Sequence, residues 1–197
     1  MLTLYPASSP KAAIVLAHGA GAGQASPFMV RAAKGMASRG ISAATFDFLY
    51  VTLGRSVPDR APILEQTWRD ALEEARQSFA GLRIAIGGKS MGGRISSQIA
   101  AQGVEGVAAL VFLGYPLHPP GKPQQRRDAH LPSIAQPMLF VQGTRDPFGT
   151  ADEILELAPR LQRATVHAVA GGDHSFKVPG KKDVLEEILD VVASFVQ

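Results

Sequence analysis

The chain has 197 residues, 46% hydrophobic and 19% charged, a composition that folds around one core and excludes a disordered chain. The absence of cysteine excludes disulfides, thiolate zinc sites and a cysteine nucleophile. Net charge is only +3, and no aromatic residues interleave with the basic ones as a single-strand nucleic-acid groove requires.

The longest apolar stretch, VAALVFL at 107–113, falls far short of the roughly 20 residues a membrane helix needs. The opening MLTLYPASSPK has neither a basic n-region nor a long apolar h-region. These features point to a cytoplasmic protein that binds neither membrane nor nucleic acid.

Short apolar runs recur along the chain with helical patterns between them. The run 12–18 reads as the first strand. A helix follows, with Ser26 as N-cap, Pro27 at N1 and Gly40 closing it. A strand at 41–48 precedes a second helix, in which Leu64, Trp68, Leu72, Ala75 and Phe79 fall on one stripe. Strands at 82–87 and 107–113 flank a helix over about 91–102. The stretch 115–132, rich in proline, is the one long irregular segment, and such loops are more often functional than structural. After a strand at 136–143, Thr150 and Glu153 form a capping-box pair, and Pro159 keeps that helix short. A strand at 164–170 and a helix from Lys181 onward, with Val184, Leu185, Ile188, Leu189, Val192 and Phe195 on one stripe, complete the chain. Most strands are apolar on both faces, as helix-covered parallel strands are. The expectation is one α/β domain over residues 1–197: a doubly wound, mostly parallel sheet of six or seven strands, helices on both faces and no lid domain.

Four glycines, at 87, 88, 92 and 93, surround Ser90 in AIGGKSMGGR. At a strand-to-helix junction they permit a sharp turn that lifts a serine hydroxyl above the sheet. The rival reading is a phosphate-binding loop, since GGKS resembles the end of that motif. It requires glycine at position 83, where the chain has Arg83. A serine nucleophile needs a base and an acid to orient that base, each placed beyond a later strand. Asp146 in TRDPFG and His174 in GGDHSF satisfy that order, with Asp173 the runner-up acid and Asp152 and Asp128 more distant options.

His18 opens HGAGAG, whose glycines allow backbone amides to point into the site as an oxyanion hole requires. The donors expected are Ala20 and Met91; His18 itself reads as a packing residue. His118, His130 and His167 lack metal-site spacing, so neither a metal nor a cofactor is expected. Tyr50, Tyr115, Phe148 and Phe176 flank the proposed site and are candidate substrate-binding residues. Lys122, Arg126 and Arg127 could favour an acidic substrate, and Asp47 and Arg94 could form a buried pair supporting the turn.

Taken in order, HGAGAG, GKSMGG, TRDPFG and GDHSF resemble the α/β-hydrolase superfamily over nearly the whole chain. GKSMGGR, GYPLHPPGKP and GTRDPFG are similar to a small uncapped, dienelactone-hydrolase-like group that includes a testis-expressed vertebrate protein and a chromatin-complex subunit. The resemblance implies a Ser90–Asp146–His174 triad. The chain departs from that pattern in its shortness, which argues against the antiparallel strand that usually starts the sheet. Where relatives insert a lid, it has only about twenty residues, so an open cleft with little apolar surface is expected. The function implied is a serine hydrolase acting on esters or thioesters of small or accessible acyl groups. The alternative is a non-catalytic binding or scaffold protein with a protein partner.

Overall fold

In the computed structural model, residues 1–180 and 183–197 are described. Seven strands form one sheet: β1 (Thr3–Tyr5), β2 (Ala12–Ala17), β3 (Ile41–Phe46), β4 (Ile84–Lys89), β5 (Val107–Leu113), β6 (Met138–Gly143) and β7 (Ala164–Val169). Their order across the sheet is β1-β3-β2-β4-β5-β6-β7, and every pairing is parallel except β1 with β3. The antiparallel first strand is therefore present, contrary to expectation. It spans three residues at the sheet edge, with Leu4 47% exposed, too short and too exposed to leave a period-two pattern.

Alternation along the inner strands divides the core in two. In β2, Ala13, Val15 and Ala17 face one layer, while Ala12, Ile14 and Leu16 face the other. On the first side pack α3 (Ala61–Ser78), α4 (Met91–Ala101) and α5 (Ala151–Leu157), through Leu64, Trp68, Ile95, Ile99 and Ile154. On the second pack α1 (Pro27–Ser38) and α6 (Leu185–Val196), through Met29, Met36, Ile188 and Leu189. Burying a leucine, isoleucine or methionine side chain in these layers stabilises the fold by roughly 1.5–3 kcal/mol before entropy is counted. A one-turn helix, α2 (Leu49–Thr52), follows β3.

The capping box forms as read: Thr150 Oγ1 accepts from Glu153 N–H at 3.3 Å, and Glu153 Oε2 accepts from Thr150 N–H at 2.8 Å. Ser26 occupies the N-cap of α1, but its side chain makes no capping bond. The expected start of the last helix at Lys181 and Lys182 lies outside the described residues. Among the described residues, no helix is long and apolar enough to cross a membrane.

Since β4, β6 and β7 run parallel, their carboxyl ends share one rim of the sheet. Ligand crevices of open α/β sheets form at that rim. Ser90 follows β4 directly, Asp146 lies in the turn after β6, and His174 in the turn after β7.

Candidate active site

Ser90 has φ 49° and ψ −114°, a conformation side chains other than glycine seldom adopt. Strain of this kind costs on the order of 1–3 kcal/mol and persists only where the surroundings enforce it. They do so through close approach. A Cβ on Gly88, itself at φ 150°, would lie 2.1 Å from the Ala17 carbonyl oxygen, and one on Gly92 would lie 2.3 Å from the same atom. Only hydrogen at these positions lets β4 turn into α4 against β2. Gly87 serves the sheet rather than the turn, since a Cβ there would strike the backbone of Val111 in β5.

Ser90 Oγ lies 2.9 Å from His174 Nε2, and His174 Nδ1 lies 2.7 Å from Asp146 Oδ2. With Nδ1–H donating to the carboxylate, Nε2 is free to accept the serine proton. Asp146 is 1% exposed, so its charge must be met by donors. Besides the imidazole, Oδ2 accepts from Gln142 Nε2 at 3.0 Å and Oδ1 from Phe148 N–H at 2.8 Å. The runner-up acid, Asp173, is turned into its own loop, where Oδ1 accepts from the N–H groups of Ser175 and Lys177.

Two residues that hold this arrangement escaped the sequence reading. Gln142 is fully buried in β6 and also bonds both main-chain polar groups of Tyr115 and the Gly149 carbonyl. A single amide in the apolar run MLFVQG was the available signal, because a buried amide must find partners. Lys89, just before Ser90, donates to the His174 carbonyl and places Nζ 5.2 Å from the centre of the Phe176 ring. Burial pushes its ammonium pKa down to about 8, against the opposing charges of Asp146 and Asp173.

Above these groups opens a cleft of about 760 Å³. Ala20 and Met91 line it beside Ser90. Met91 opens α4, so its N–H is one of those a helix leaves without an intrahelical acceptor. Phe148 also lines the cleft, its ring 4.3 Å from the imidazole of His174. The other three aromatic candidates sit elsewhere. Tyr115 is fully buried and donates its hydroxyl proton to the Arg127 carbonyl, and Tyr50 is buried against Phe48. Phe176, in a left-handed turn at φ 61°, is 6% exposed and stacks on Phe28. Aromatic bulk favoured burial over display at all three positions.

The cleft is also more apolar than expected, because Phe28, Met29, Leu64 and Met91 supply the wall from α1, α3 and α4 without a lid. His18 is a buried neutral residue: Nδ1–H donates to Gly19 O, Nε2 accepts from Phe48 N–H, and burial pushes its pKa down. Asp47 and Arg94 do not pair. Asp47 takes the backbone and side-chain donors of Gln24, while Arg94 turns to Gln98.

The model of the alpha/beta hydrolase domain family matches residues 10–197. The chain belongs to this α/β hydrolase family. Solved α/β hydrolase structures superpose over essentially all of it. An alpha-beta serine hydrolase homologue from Coxiella burnetii matches with a TM-score of 0.80 and 17% identity, covering 100% of this chain and 91% of that one. A dienelactone hydrolase from Anabaena variabilis matches at 0.79 and 21%, covering 98% and 88%. Ferulic acid-bound Est1E from Butyrivibrio proteoclasticus matches at 0.75 and 14%, covering 98% and 93%. At these identities the likeness speaks for the α/β hydrolase fold.

Proposed function

We propose that the protein is a serine hydrolase that cleaves carboxylic esters or thioesters of small or accessible acyl groups. The observation that carries this reading is the continuous relay from Ser90 Oγ to His174 to the buried carboxylate of Asp146, at 2.9 and 2.7 Å.

The mechanism follows from that geometry. Ser90 Oγ attacks the substrate carbonyl carbon as His174 Nε2 removes its proton. The new C–O bond pushes the carbonyl electrons onto oxygen, where the N–H groups of Ala20 and Met91 stabilise the developing negative charge. The tetrahedral centre collapses, its bond to the alcohol or thiol breaks, and His174 returns the proton to that leaving group. An acyl group remains on Ser90. Water then attacks it, giving its proton to His174 and repeating the two steps in reverse roles. Throughout, Asp146 holds the imidazole in one tautomer and stabilises the imidazolium.

A panel of p-nitrophenyl esters and acyl thioesters tests the reading on wild type and Ser90→Ala. Wild-type turnover that falls at least about a thousandfold in the variant is expected. A folded wild type no more active than Ser90→Ala on the whole panel would identify a binding protein that keeps the fold.

A further inference from the structure

Two guanidinium groups in the cleft have no ion-pair partner among the described residues. Arg94, one turn into α4, and Arg127, from the segment 115–132, line the same cleft as Ser90 and His174. Arg94 donates to the neutral Gln98 amide oxygen at 3.3 Å. Neither arginine takes part in an ion pair among the described residues.

The carboxylates around them have other first partners. Glu65 accepts from the neutral amide of Gln102 at 2.9 Å, Asp128 holds Arg126 at 2.6 Å, and Asp59, on the cleft wall, holds Arg55 at 2.9 Å through Oδ1 while its buried Oδ2 has no hydrogen-bond partner among the described residues. Arg126 is thereby removed as a substrate contact, and Lys122 is exposed in an outer turn. Burial pushes the pKa of Arg94 down and the positive charge of Arg127 acts in the same direction, against a smaller opposing effect of the Glu65 carboxylate. Two like charges lining one cleft, both half-buried, repel, and an anion between them would offset that cost.

We propose that Arg94 and Arg127 form a subsite for a carboxylate carried by the substrate, so that the protein prefers acidic esters, such as half-esters of short dicarboxylic acids. The placement beside Ser90 rests on the hydrolase reading, whereas the anion-binding chemistry does not. A guanidinium matches a carboxylate by two parallel N–H donors, which a neutral acyl chain cannot use. The four steps from Ser90 to Arg94 rise roughly 6 Å along the helix axis, a span suited to a short hydrocarbon spacer. The apolar wall of Phe28, Met29, Leu64 and Met91 provides a surface for that spacer.

Two paired comparisons of kcat/KM test this. The p-nitrophenyl half-ester of glutarate against p-nitrophenyl pentanoate carries the charge on the acyl side. 4-Carboxyphenyl pentanoate against phenyl pentanoate carries it on the leaving group. A preference of about tenfold or more for the charged member of either pair is expected, as for a charge-assisted hydrogen bond. It should shrink with added salt and collapse toward unity in both Arg94→Met and Arg127→Met. The pair showing the preference identifies which half of the ester faces the arginines.

Calorimetric titration of folded Ser90→Ala with monomethyl glutarate, against dimethyl glutarate, reads the subsite without turnover. Binding of the acid that weakens about tenfold or more in Ser90→Ala/Arg94→Met supports the subsite even if no ester is hydrolysed. Equal kcat/KM within both pairs, or equal affinity for the acid and the diester, overturns it.

Discussion

The side-chain amide of Gln142 donates at 3.0 Å to the same Asp146 oxygen that His174 reaches at 2.7 Å. The amide oxygen of Gln142 accepts from Tyr115 N–H at 2.8 Å, so one buried side chain ties the end of β5 to the turn carrying the acid. It holds Asp146 in the direction that meets His174.

Replacing Gln142 by Leu should therefore affect both stability and turnover. The variant leaves several buried polar groups without partners, each costing roughly 1–3 kcal/mol. Thermal unfolding should show a loss of about 3 kcal/mol or more, and kcat should fall more than KM rises because the acid loses its orientation. Gln142→Glu should be no better, since a second carboxylate would face Asp146.

Gly92 tests the packing behind the strained turn. Its added Cβ would meet the Ala17 carbonyl oxygen at 2.3 Å and the Ala17 Cβ at 2.8 Å, atoms fixed in the central strand β2 with little room to yield. Gly92→Ala should destabilise the fold by about 3 kcal/mol or more through overpacking. Chemical denaturation measures the loss. Gly103→Ala is the contrasting variant: no atom stands within 4 Å, so any cost comes from its φ of +86° alone and should be smaller.

Lys89 makes stability depend on pH with a defined sign. Burial lowers its pKa to about 8 in the folded protein from 10.5. Between those values the unfolded chain binds more protons than the folded one, so this group makes stability rise with pH from about 8 to about 10.5. The benefit is present above the upper value and is lost as pH falls through the lower one. Denaturant titrations across that window should show the rise in wild type. Lys89→Met should flatten this component.

Much of the fold was legible because parallel strands buried on both faces leave continuous apolar runs, as in 107–113, and these mapped onto β2 to β7 within a few residues. The order of Ser90, Asp146 and His174 was legible for a related reason: each follows an apolar run, and parallel strands bring their ends to one rim. Roles set by contacts across the sheet left no local trace. Lys89 could not be linked to the His174 carbonyl 85 residues away, nor Arg94 separated from Asp47, since both choices depend on rotamers and neighbouring elements. Tyr50, Tyr115 and Phe176 follow strands as Phe148 does, yet only Phe148 borders the cleft, because the other three rings turned inward.

Activation of the Ser90 hydroxyl by His174 and Asp146 is read by covalent labelling. Folded wild type treated with a fluorophosphonate probe, digested and mapped by mass spectrometry should carry the adduct on Ser90, with labelling lost in Ser90→Ala and strongly reduced in His174→Ala. Unlabelled Ser90 in a folded wild-type sample, under conditions that label a known serine esterase to completion, would show that its hydroxyl is not an activated nucleophile.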